Sequence, residues 1–514
     1  MPINKNIAAA LSRVRAQADV GGGQIIRSST MTRSDREVLL ATGWLQEIIR
    51  GWYMLVRPDV ATGDTAAWYA NFWDFVRIYL NHRFEGNYCL SAESSLGLHM
   101  DNPVVPAQVI AIVKHGSGLL KLMYDTSLMI YADPNHFPTE MTQKQGLNVM
   151  SLAYALCKVA PSYFQQHPRD AELALRSIRT PDEISRLIIR YNLKTAAARL
   201  MGAYQFLQDQ EMATAIKNDV TTVGILVSPN NPFQRAAPML KTTRLQSPYA
   251  GRIKAMWEQA RDTVLEYFPP PPGLPKSKEK YLHHIDEIYQ YDAYHSLSIE
   301  GYHVTYDLIN RVKSQQWSPD NNIYDNDTKN AMAAKGYYDT FLQVKQCIAQ
   351  VIRGGNAAQI IKNNLQQWYQ HLFGPSVQAG IISADSLFGY RNDRVFIRNS
   401  RHSPPPKEAV LDAMEAFFDC LHHEPHPGVS AVLGHYFFVF IHPYMDGNGR
   451  IGRFLMNTLL ASGGYPWTVV RVENRSQYIS ILENTHINFD MTAFTCFIKS
   501  EMETKTAKID THKF

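Results

Sequence analysis

The sequence has few of the features that mark secreted or membrane-bound proteins. Its 514 residues include only five cysteines, and none of them forms a Cys-x-x-Cys pair, so neither a zinc site nor a disulfide framework is expected. No apolar stretch approaches the length of a membrane helix, and the N-terminus does not resemble a secretory signal. We therefore expect reduced thiols, no membrane contact and a cytoplasmic location.

Charged residues are also scarce. They make up 19% of the chain, against 45% hydrophobic residues, and the net charge is only +4. This composition is sufficient for large cores and argues against extended disorder except at the ends. The length suggests about three domains. The oligomeric state is not readable from the sequence, and a homodimer is kept as one option.

The most informative stretch is residues 442–453, His-Pro-Tyr-Met-Asp-Gly-Asn-Gly-Arg-Ile-Gly-Arg. An apolar run at residues 436–441 precedes it. Apolar residues at helical spacing follow it, namely Ile451, Phe454, Leu455 and Leu459. A polar, glycine-rich loop therefore lies between two buried supports, which is an arrangement typical of a rigid phosphate-binding site.

The backbone of this loop suits an anion. Gly447 and Gly449 allow a close approach and conformations that other residues disfavour. Their N–H groups, with that of Asn448, would begin the next helix, where unpaired donors and the helix dipole favour phosphate. Taken alone, Gly-Asn-Gly would be an ordinary tight turn, so the prediction depends on the residues around it.

The side chains of the loop complete a polyphosphate site. Arg450 and Arg453 lie three residues apart on one helix face, so that both guanidiniums can reach the same ligand. Asp446 supplies a hard oxygen ligand suited to Mg²⁺. His442 titrates near neutrality and can accept a proton from an attacking hydroxyl.

Residues 442–453 resemble the signature of the Fic family of nucleotidyltransferases, His-x-Phe-x-Asp/Glu-Gly-Asn-Gly-Arg-x-x-Arg. Tyr444 stands where the family has Phe, a mild change provided that the hydroxyl finds a partner. The resemblance implies a mainly α fold, with an all-helical Fic core and a small β-hairpin flap.

Two further segments extend the resemblance. Gly389-Tyr390-Arg391, followed by Val395-Phe396-Ile397, resembles the family's flap hairpin, an edge strand onto which a target segment can add. Downstream, Asn474 and Tyr478 resemble the positions that border the adenine pocket. For Tyr478, ordinary helix packing is an equally good interpretation.

Residues 296–301, Ser-Leu-Ser-Ile-Glu-Gly, match the inhibitory motif of the family, Ser/Thr-x-x-x-Glu-Gly/Asn, beginning at Ser296. In such proteins the Glu, here Glu300, pairs with the second Arg of the signature, here Arg453, and takes the place of the γ-phosphate. An Arg–carboxylate pair in a confined pocket is strong and geometrically specific. The alternative is a helix end closed by Gly301 with Glu300 solvated, but the neighbouring resemblance favours inhibition.

The resemblance implies an adenylyltransferase that moves AMP from Mg·ATP to a Tyr, Thr or Ser hydroxyl of a target protein. The implied roles are proton acceptor for His442, Mg²⁺ ligand for Asp446, anion hole for Gly447, Asn448 and Gly449, and phosphate contacts for Arg450 and Arg453. Glu300 would also be placed to orient water for the reverse reaction, removal of AMP.

The first 60 residues predict a winged helix-turn-helix. Helices are indicated at Asn4–Gln17 and Thr32–Thr42, and two alternating runs around a turn at Arg50-Gly51 indicate a hairpin. This segment holds eight Lys or Arg against five Asp or Glu, a difference of +3, which suits contact with DNA phosphates. Winged helices also dock proteins, so both partners stay open.

The remaining domain boundaries are predicted from composition and from segments rich in proline and glycine, which interrupt regular secondary structure. Residues 61–235 are predicted as an α/β companion domain, and with residues 1–60 they resemble the antitoxin regulators of abortive-infection systems. Residues 236–277 are predicted as a helix and a Pro-rich linker, and residues 278–505 as the Fic domain with its inhibitory helix. The competing function is a DNA-binding transcriptional regulator that uses the Fic core as a nucleotide sensor, but a pure sensor would not need the base His442.

Overall fold

The computed structural model of the protein describes residues 5–21, 24–56, 58, 65–235, 237–239, 248–314, 328–383, 387–397 and 400–504. The contacts divide the chain into two compact units. Unit 1 comprises Met1–Pro248 and Phe396–Ser403, and unit 2 comprises Tyr249–Val395 and Pro404–Phe514. The division lies inside the segment 236–277. The predicted boundaries at residues 60, 236 and 505 fall outside the described residues.

Unit 1 begins with a helix, a short strand, a second helix and a hairpin. These elements are α1 (Lys5–Gly21), β1 (Ile25–Arg27), α2 (Arg33–Ala41), β2 (Leu45–Ile49) and β3 (Trp52–Leu55). The strands form an antiparallel sheet in the order β1-β3-β2. The hydroxyl of Thr32 accepts a hydrogen bond from the backbone N–H of Asp35 and caps α2.

The predicted helices and hairpin of this segment are therefore confirmed, apart from residue 4, which lies outside the described part. Gly51 adopts the positive φ of +86° that the tight hairpin turn requires. A winged helix that binds DNA stays a prediction.

Strands in the rest of unit 1 are confined to its first half. The elements are α3 (Ala66–Phe84), β4 (Tyr88–Leu90), α4 (Ala92–His99), β5 (Gln108–Val113), β6 (Gly118–Lys121), β7 (Ser127–Ala132), β8 (Met141–Lys144) and β9 (Leu147–Met150). The larger sheet has the order β4-β5-β7-β6, with β5 and β7 parallel, and β8 pairs with β9.

The described residues from 152 to 222 are helical, so the α/β description of residues 61–235 holds only up to about residue 150. The helices are α5 (Leu152–Lys158), α6 (Tyr163–Gln166), α7 (Pro168–Arg176), α8 (Asp182–Tyr191), α9 (Lys194–Phe206) and α10 (Gln210–Thr222). Apolar residues at helical spacing explain the difference, since Ile184, Leu187 and Ile188 bury one face of α8.

A late segment of the chain also belongs to unit 1. Val104 and His402 form an isolated antiparallel bridge, and the guanidinium of Arg401 donates to the carbonyl of Val105 at 2.6 Å. Arg401 and His402 therefore pair with the loop that precedes β5.

Unit 2 is helical in its described part. It contains α11 (Pro248–Tyr267), α12 (Lys278–Ile299), α13 (Tyr306–Lys313), α14 (Thr328–Val351), α15 (Ala357–Gln378), α16 (Val410–His423), α17 (Pro427–Ile441), α18 (Asn448–Ser462), α19 (Arg475–Asn488) and α20 (Thr492–Glu503). The mainly α prediction is confirmed.

Helix α17 lies at the centre of this unit, and every one of its residues after Pro427 is buried. Pro427 begins the helix, and the side chain of His426 accepts a hydrogen bond from the N–H of Val429 as its N-cap. Trp257 of α11 stacks on Phe437 with the ring centroids 5.5 Å apart. The helix is therefore held from several sides, and the loop that follows it has a rigid base.

The Pro-rich segment 269–273 is docked on unit 2. The N–H of Gly273 donates to the carbonyl of Gly463 at 3.0 Å, and the hydroxyl of Tyr465 donates to the carbonyl of Pro269 at 2.7 Å. Gly464 is required at this contact, since a Cβ there would lie 1.8 Å from the carbonyl oxygen of Gly273. The segment is fixed against the end of α18.

The structure corrects the prediction of a flap hairpin. Among the described residues 387–397, the structure has bends and extended backbone but no paired strand. The polar groups that a ladder would use have other partners. The backbone N–H of Arg391 donates to the carbonyl of Pro443, and its guanidinium donates to the carbonyl of Asp393. Target docking at Val395, Phe396 and Ile397 stays a prediction.

In the described part of the chain, no helix combines the length and apolar character needed to cross a membrane. All five cysteines are free thiols, as their isolated positions predict.

Candidate active site

The site is the loop between α17 and α18. Two residues with left-handed backbone conformation determine its path. His442 ends α17 with φ +53°, and Gly447 precedes α18 with φ +78°. A Cβ at Gly447 would lie 2.7 Å from the ring of Phe373 and 3.0 Å from Leu372. Only glycine fits there, because both the backbone conformation and the space exclude a side chain.

His442 is held in one tautomer. Its Nδ1 lies 3.2 Å from the carbonyl oxygen of Val439. Since a carbonyl can only accept, Nδ1 carries the proton and Nε2 keeps its lone pair. Burial is the main cause that lowers the pKa of His442 to about 4, and the nearby charge of Arg391 contributes to this shift. The imidazole is therefore a neutral proton acceptor over the physiological range.

Asn448 fixes the loop from inside. Its side-chain oxygen accepts from the N–H of Tyr444 at 2.9 Å, and its side-chain nitrogen donates to the carbonyl of Tyr444 at 2.8 Å. The amide is only 2% exposed. The predicted anion hole therefore rests on the backbone of this loop, which the amide of Asn448 holds in place.

Tyr444 anchors the loop by stacking. Its ring lies parallel to that of Tyr369 with the centroids 3.9 Å apart. Its hydroxyl is buried and has no hydrogen-bond partner among the described residues. The condition that makes Tyr a mild replacement for Phe is therefore not met.

Asp446 is the exposed carboxylate of the loop, with 65% of its side chain accessible. Its Oδ1 accepts from the N–H of Gly447 at 2.6 Å, and its Oδ2 lies 3.6 Å from Nη2 of Arg450. The Asp446 carboxylate therefore has lone pairs available to coordinate a cation that a ligand brings with it. The described residues contain no cluster of three or more metal-binding side chains.

Arg450 is buried between two aromatic rings. Its guanidinium carbon lies 4.9 Å from the ring centroid of Tyr302 and 5.0 Å from that of Phe373. Such cation–π contacts hold the planar group without using its donors. In the described part of the protein, its Nε and Nη2 have no hydrogen-bond partner, so they are available to an anion.

Arg453 is held by both ends of the motif 296–301. Its Nε donates to the hydroxyl of Ser296 at 2.8 Å, and its Nη2 donates to the carbonyl of Ser296 at 3.0 Å. The same Nη2 donates to Oε1 of Glu300 at 2.7 Å. These three contacts fix a guanidinium that is only 3% exposed.

Glu300 lies directly over the start of α18. A Cβ at Gly449 would lie 2.3 Å from Oε1 of Glu300, so the carboxylate occupies the space that the glycine leaves. Burial raises the pKa of Glu300, but the guanidiniums of Arg453 and Arg450 outweigh it and hold the pKa below its ordinary value. The anion at the N-terminus of α18 is therefore the protein's own Glu300 carboxylate.

One element of each interpretation of the motif 296–301 is visible in the structure, and inhibition itself stays a prediction. Gly301 does close α12, with φ +84°, and the N–H of Tyr302 donates to the carbonyl of Leu297. Glu300, however, is paired rather than solvated. Arg475 of α19 adds a restraint, since its Nε donates to the carbonyl of Ile299 at 2.6 Å.

Asn474 and Tyr478 have partners inside the protein. The amide of Asn474 donates to Oε1 of Glu501 at 2.6 Å. Tyr478 is buried, and its hydroxyl lies 2.7 Å from Nε2 of His435. For Tyr478 the packing interpretation therefore has direct support, and contact of either residue with adenine stays a prediction.

The sequence analysis missed the aromatic pair around Arg450 and the restraint from Arg475. Tyr302 follows the inhibitory motif directly, so its position was a usable signal. Phe373 and Arg475 lie far from the motifs in sequence, and nothing in their local pattern indicates their role.

Comparison with known proteins agrees with the geometry of the loop. Residues 360–460 match the Fic/DOC family. This part of the chain is similar to a Fic domain. The match includes the whole loop between α17 and α18 with Arg450 and Arg453, whereas the motif 296–301 lies N-terminal to it.

Curated relatives of this chain are named protein adenylyltransferase Fic. The one from Nematostella vectensis is 29% identical over 275 residues, which cover 52% of this chain and 56% of the relative. The one from Drosophila grimshawi is 26% identical over 303 residues, covering 57% of this chain and 56% of the relative. The chain thus spans about half the length of these relatives.

Solved structures of Fic proteins are also similar in part. Fic-1 from C. elegans is 16% identical, with a TM-score of 0.35 and coverage of 65% of this chain and 92% of that structure. A Fic domain containing signaling protein from Bacteroides thetaiotaomicron is 21% identical, with a TM-score of 0.35 and coverage of 48% and 92%. Scores this low support no structural argument.

Proposed function

We propose that this protein is an autoinhibited adenylyltransferase that transfers AMP from Mg·ATP to a Tyr, Thr or Ser hydroxyl of a target protein. The Fic match and the names of the curated relatives support the class of reaction. The loop supports the chemistry, since it combines a neutral base, a helix N-terminus and two arginines.

The observation that carries the proposal is the position of Glu300. Its carboxylate lies against Gly449 at the start of α18 and binds Arg453. A helix N-terminus with an arginine beside it is suited to phosphate. ATP and the Glu300 carboxylate therefore compete for one site, and the protein carries its own competitor.

In the proposed reaction, the hydroxyl oxygen of the target attacks the α-phosphorus of ATP as Nε2 of His442 takes the hydroxyl proton. A bond forms between that oxygen and the α-phosphorus, and the bond from the α-phosphorus to the bridging oxygen breaks. Pyrophosphate leaves with the electron pair. The free donors of Arg450 and the backbone N–H groups at the start of α18 stabilise the charge that develops.

Mg²⁺ would arrive with ATP as part of the substrate. The exposed carboxylate of Asp446 fits this role, because one protein carboxylate with phosphate oxygens and water is a common Mg²⁺ environment. The ion supplies charge compensation for the phosphates.

A second activity, removal of AMP, is supported by the same carboxylate. Glu300 keeps 28% of its side chain accessible and faces the start of α18, where it would orient a water molecule. DNA binding by residues 1–60, a homodimer and a cytoplasmic location stay predictions.

The test is labelling with α-³²P-ATP and Mg²⁺, alone and with cell lysate. We compare wild type, Glu300→Gly, Glu300→Gly/His442→Ala and the control Glu279→Gln, an exposed residue in the first turn of the same helix. We expect label on protein only with Glu300→Gly. Equal labelling of wild type and Glu300→Gly would refute autoinhibition, and labelling that survives His442→Ala would refute the assigned base.

A further inference from the structure

Arg391 makes an unusual set of contacts beside the catalytic loop. It is only 5% exposed. Its Nε donates to the carbonyl of His442 at 2.8 Å, its Nη1 donates to the carbonyl of Asp393 at 3.0 Å, and its Nη2 donates to the carbonyl of Pro405. Its backbone N–H donates to the carbonyl of Pro443 at 2.9 Å.

Burying a guanidinium among carbonyl groups is costly. Desolvation lowers the pKa of Arg391 to about 10, against weaker opposing effects of Asp393 and Glu408. A buried cation held only by carbonyls stabilises a protein less than an apolar side chain of similar size. Its presence therefore indicates a role beyond stability.

The carbonyl groups that Arg391 binds define that role. Two successive carbonyls of the loop, those of His442 and Pro443, are restrained by one residue. His442 has a left-handed backbone, which is unfavourable for a residue with a side chain and persists only when its surroundings fix it. The bond to the His442 carbonyl supplies such a restraint.

The other two contacts of the guanidinium, with Asp393 and Pro405, lie at the two ends of one segment. Asp393 and Pro405 lie on either side of the segment that contains the predicted target-docking residues. Their carbonyls are joined through the guanidinium that also holds His442. The side chain of Arg391 thus restrains both the ends of the predicted docking segment and the backbone of His442.

Resting on the function proposed above, we infer that Arg391 is a positioning residue for AMP transfer. It holds the backbone of His442 in the left-handed conformation and ties it to the ends of the segment 393–405. Arg391 itself touches neither phosphate nor the acceptor hydroxyl. Its removal therefore affects the chemical step more than the binding of ATP.

The test uses full-length Glu300→Gly protein carrying Arg391→Met or Arg391→Lys. Thermal unfolding, the Kd for ATP, and kcat and KM for transfer are measured. We expect Arg391→Met to lower kcat by roughly 100-fold, the scale of a misplaced catalytic group, with the Kd for ATP within about twofold of the parent. Arg391→Lys keeps the charge and one or two of the bonds, and it should recover part of kcat.

The matched control is Arg199→Met. Arg199 of unit 1 is also buried and also donates to two carbonyls, those of Leu156 and Cys157. We expect a similar loss of stability and an unchanged kcat. If Arg391→Met and Arg199→Met behave alike in kcat, or if Arg391→Met weakens ATP binding as much as it lowers kcat, the positioning role is refuted.

A readout independent of activity separates this inference from the proposed function. Nitrogen-15 NMR of the histidines, with His442 assigned by its absence in His442→Ala, reports the tautomer. We expect the Nδ1-protonated form in the parent and a mixture of forms in Arg391→Met. If Glu300→Gly protein transfers no AMP but this change occurs, the proposed function fails, whereas the restraint of His442 by Arg391 stands. An unchanged tautomer overturns that restraint.

Discussion

Nη2 of Arg453 lies 2.7 Å from Oε1 of Glu300, although the two residues are 153 positions apart in the sequence. The pair joins the last turn of α12 to the first turns of α18. Arg453 is buried and the hydroxyl of Ser296 occupies its Nε, so the guanidinium has a fixed direction. The contact therefore links the state of α12 to the availability of the phosphate site.

The pair predicts a pH-dependent contribution to stability. The pKa of Glu300 is lowered from 4.5, so its contribution is complete above that value and is lost as the pH falls through the folded-state pKa. At pH 7 we expect Glu300→Gln to lower Tm by about 2–6 °C, on the basis of about 1–2 kcal/mol for a charge-assisted hydrogen bond. Below pH 4 the difference should shrink. A difference that grows on acidification would contradict the assignment.

The state of His442 predicts the pH profile of transfer. With its pKa lowered to about 4, the base stays neutral as the pH falls from 8 to 5.5. A histidine at the ordinary value of about 6.5 would be about 90% protonated at pH 5.5. We expect kcat/KM of Glu300→Gly protein to lack an acidic limb above pH 5. A roughly tenfold fall between pH 7.5 and 5.5 would rule out a buried neutral base.

Tyr444→Phe should stabilise the protein. The hydroxyl of Tyr444 is buried without a partner among the described residues, while its ring keeps the stacking on Tyr369. Removing an unsatisfied hydroxyl should recover about 1 kcal/mol, a rise in Tm of about 2–4 °C. The control Tyr337→Phe removes a hydroxyl that donates to Asp292 at 2.6 Å, and it should lower Tm. Equal losses in both variants would show that Tyr444 has a partner.

Residues 442–453 could be placed in the site from the sequence because their geometry is local. The spacing of Arg450 and Arg453 on one helix, and the closure of α12 by Gly301, depend only on neighbouring residues. The pairing of Glu300 with Arg453 is a long-range contact, and it was predicted from the family resemblance rather than from any physical pattern.

The rest of the site depends on backbone positions that no local pattern encodes. Arg391 was visible in the sequence, but its acceptors are carbonyl groups of three separate segments. The flap hairpin was expected from the family resemblance alone, and no paired strand forms among the described residues 387–397. Phe373 reaches Arg450 only because α15 packs beside α18.

The contact between Glu300 and Gly449 gives a sharper test of autoinhibition. The effect of Gly449→Ala on Tm should have opposite signs in the wild type and in Glu300→Gly protein. A Cβ at Gly449 would lie 2.3 Å from Oε1 of Glu300, whereas the next contact, Nη1 of Arg453 at 3.2 Å, is with the end of a flexible side chain. Gly449 has ordinary helical backbone, so alanine there is otherwise favourable by up to about 1 kcal/mol.

We expect Gly449→Ala to lower Tm in the wild type, because the carboxylate is pushed away from Arg453. In Glu300→Gly protein the same change should leave Tm unchanged or raise it by about 2–4 °C. The measurement is thermal unfolding of the four proteins of this cycle at pH 7, and it needs neither ATP nor a target. Equal effects in both backgrounds would mean that Glu300 does not rest on Gly449 in solution.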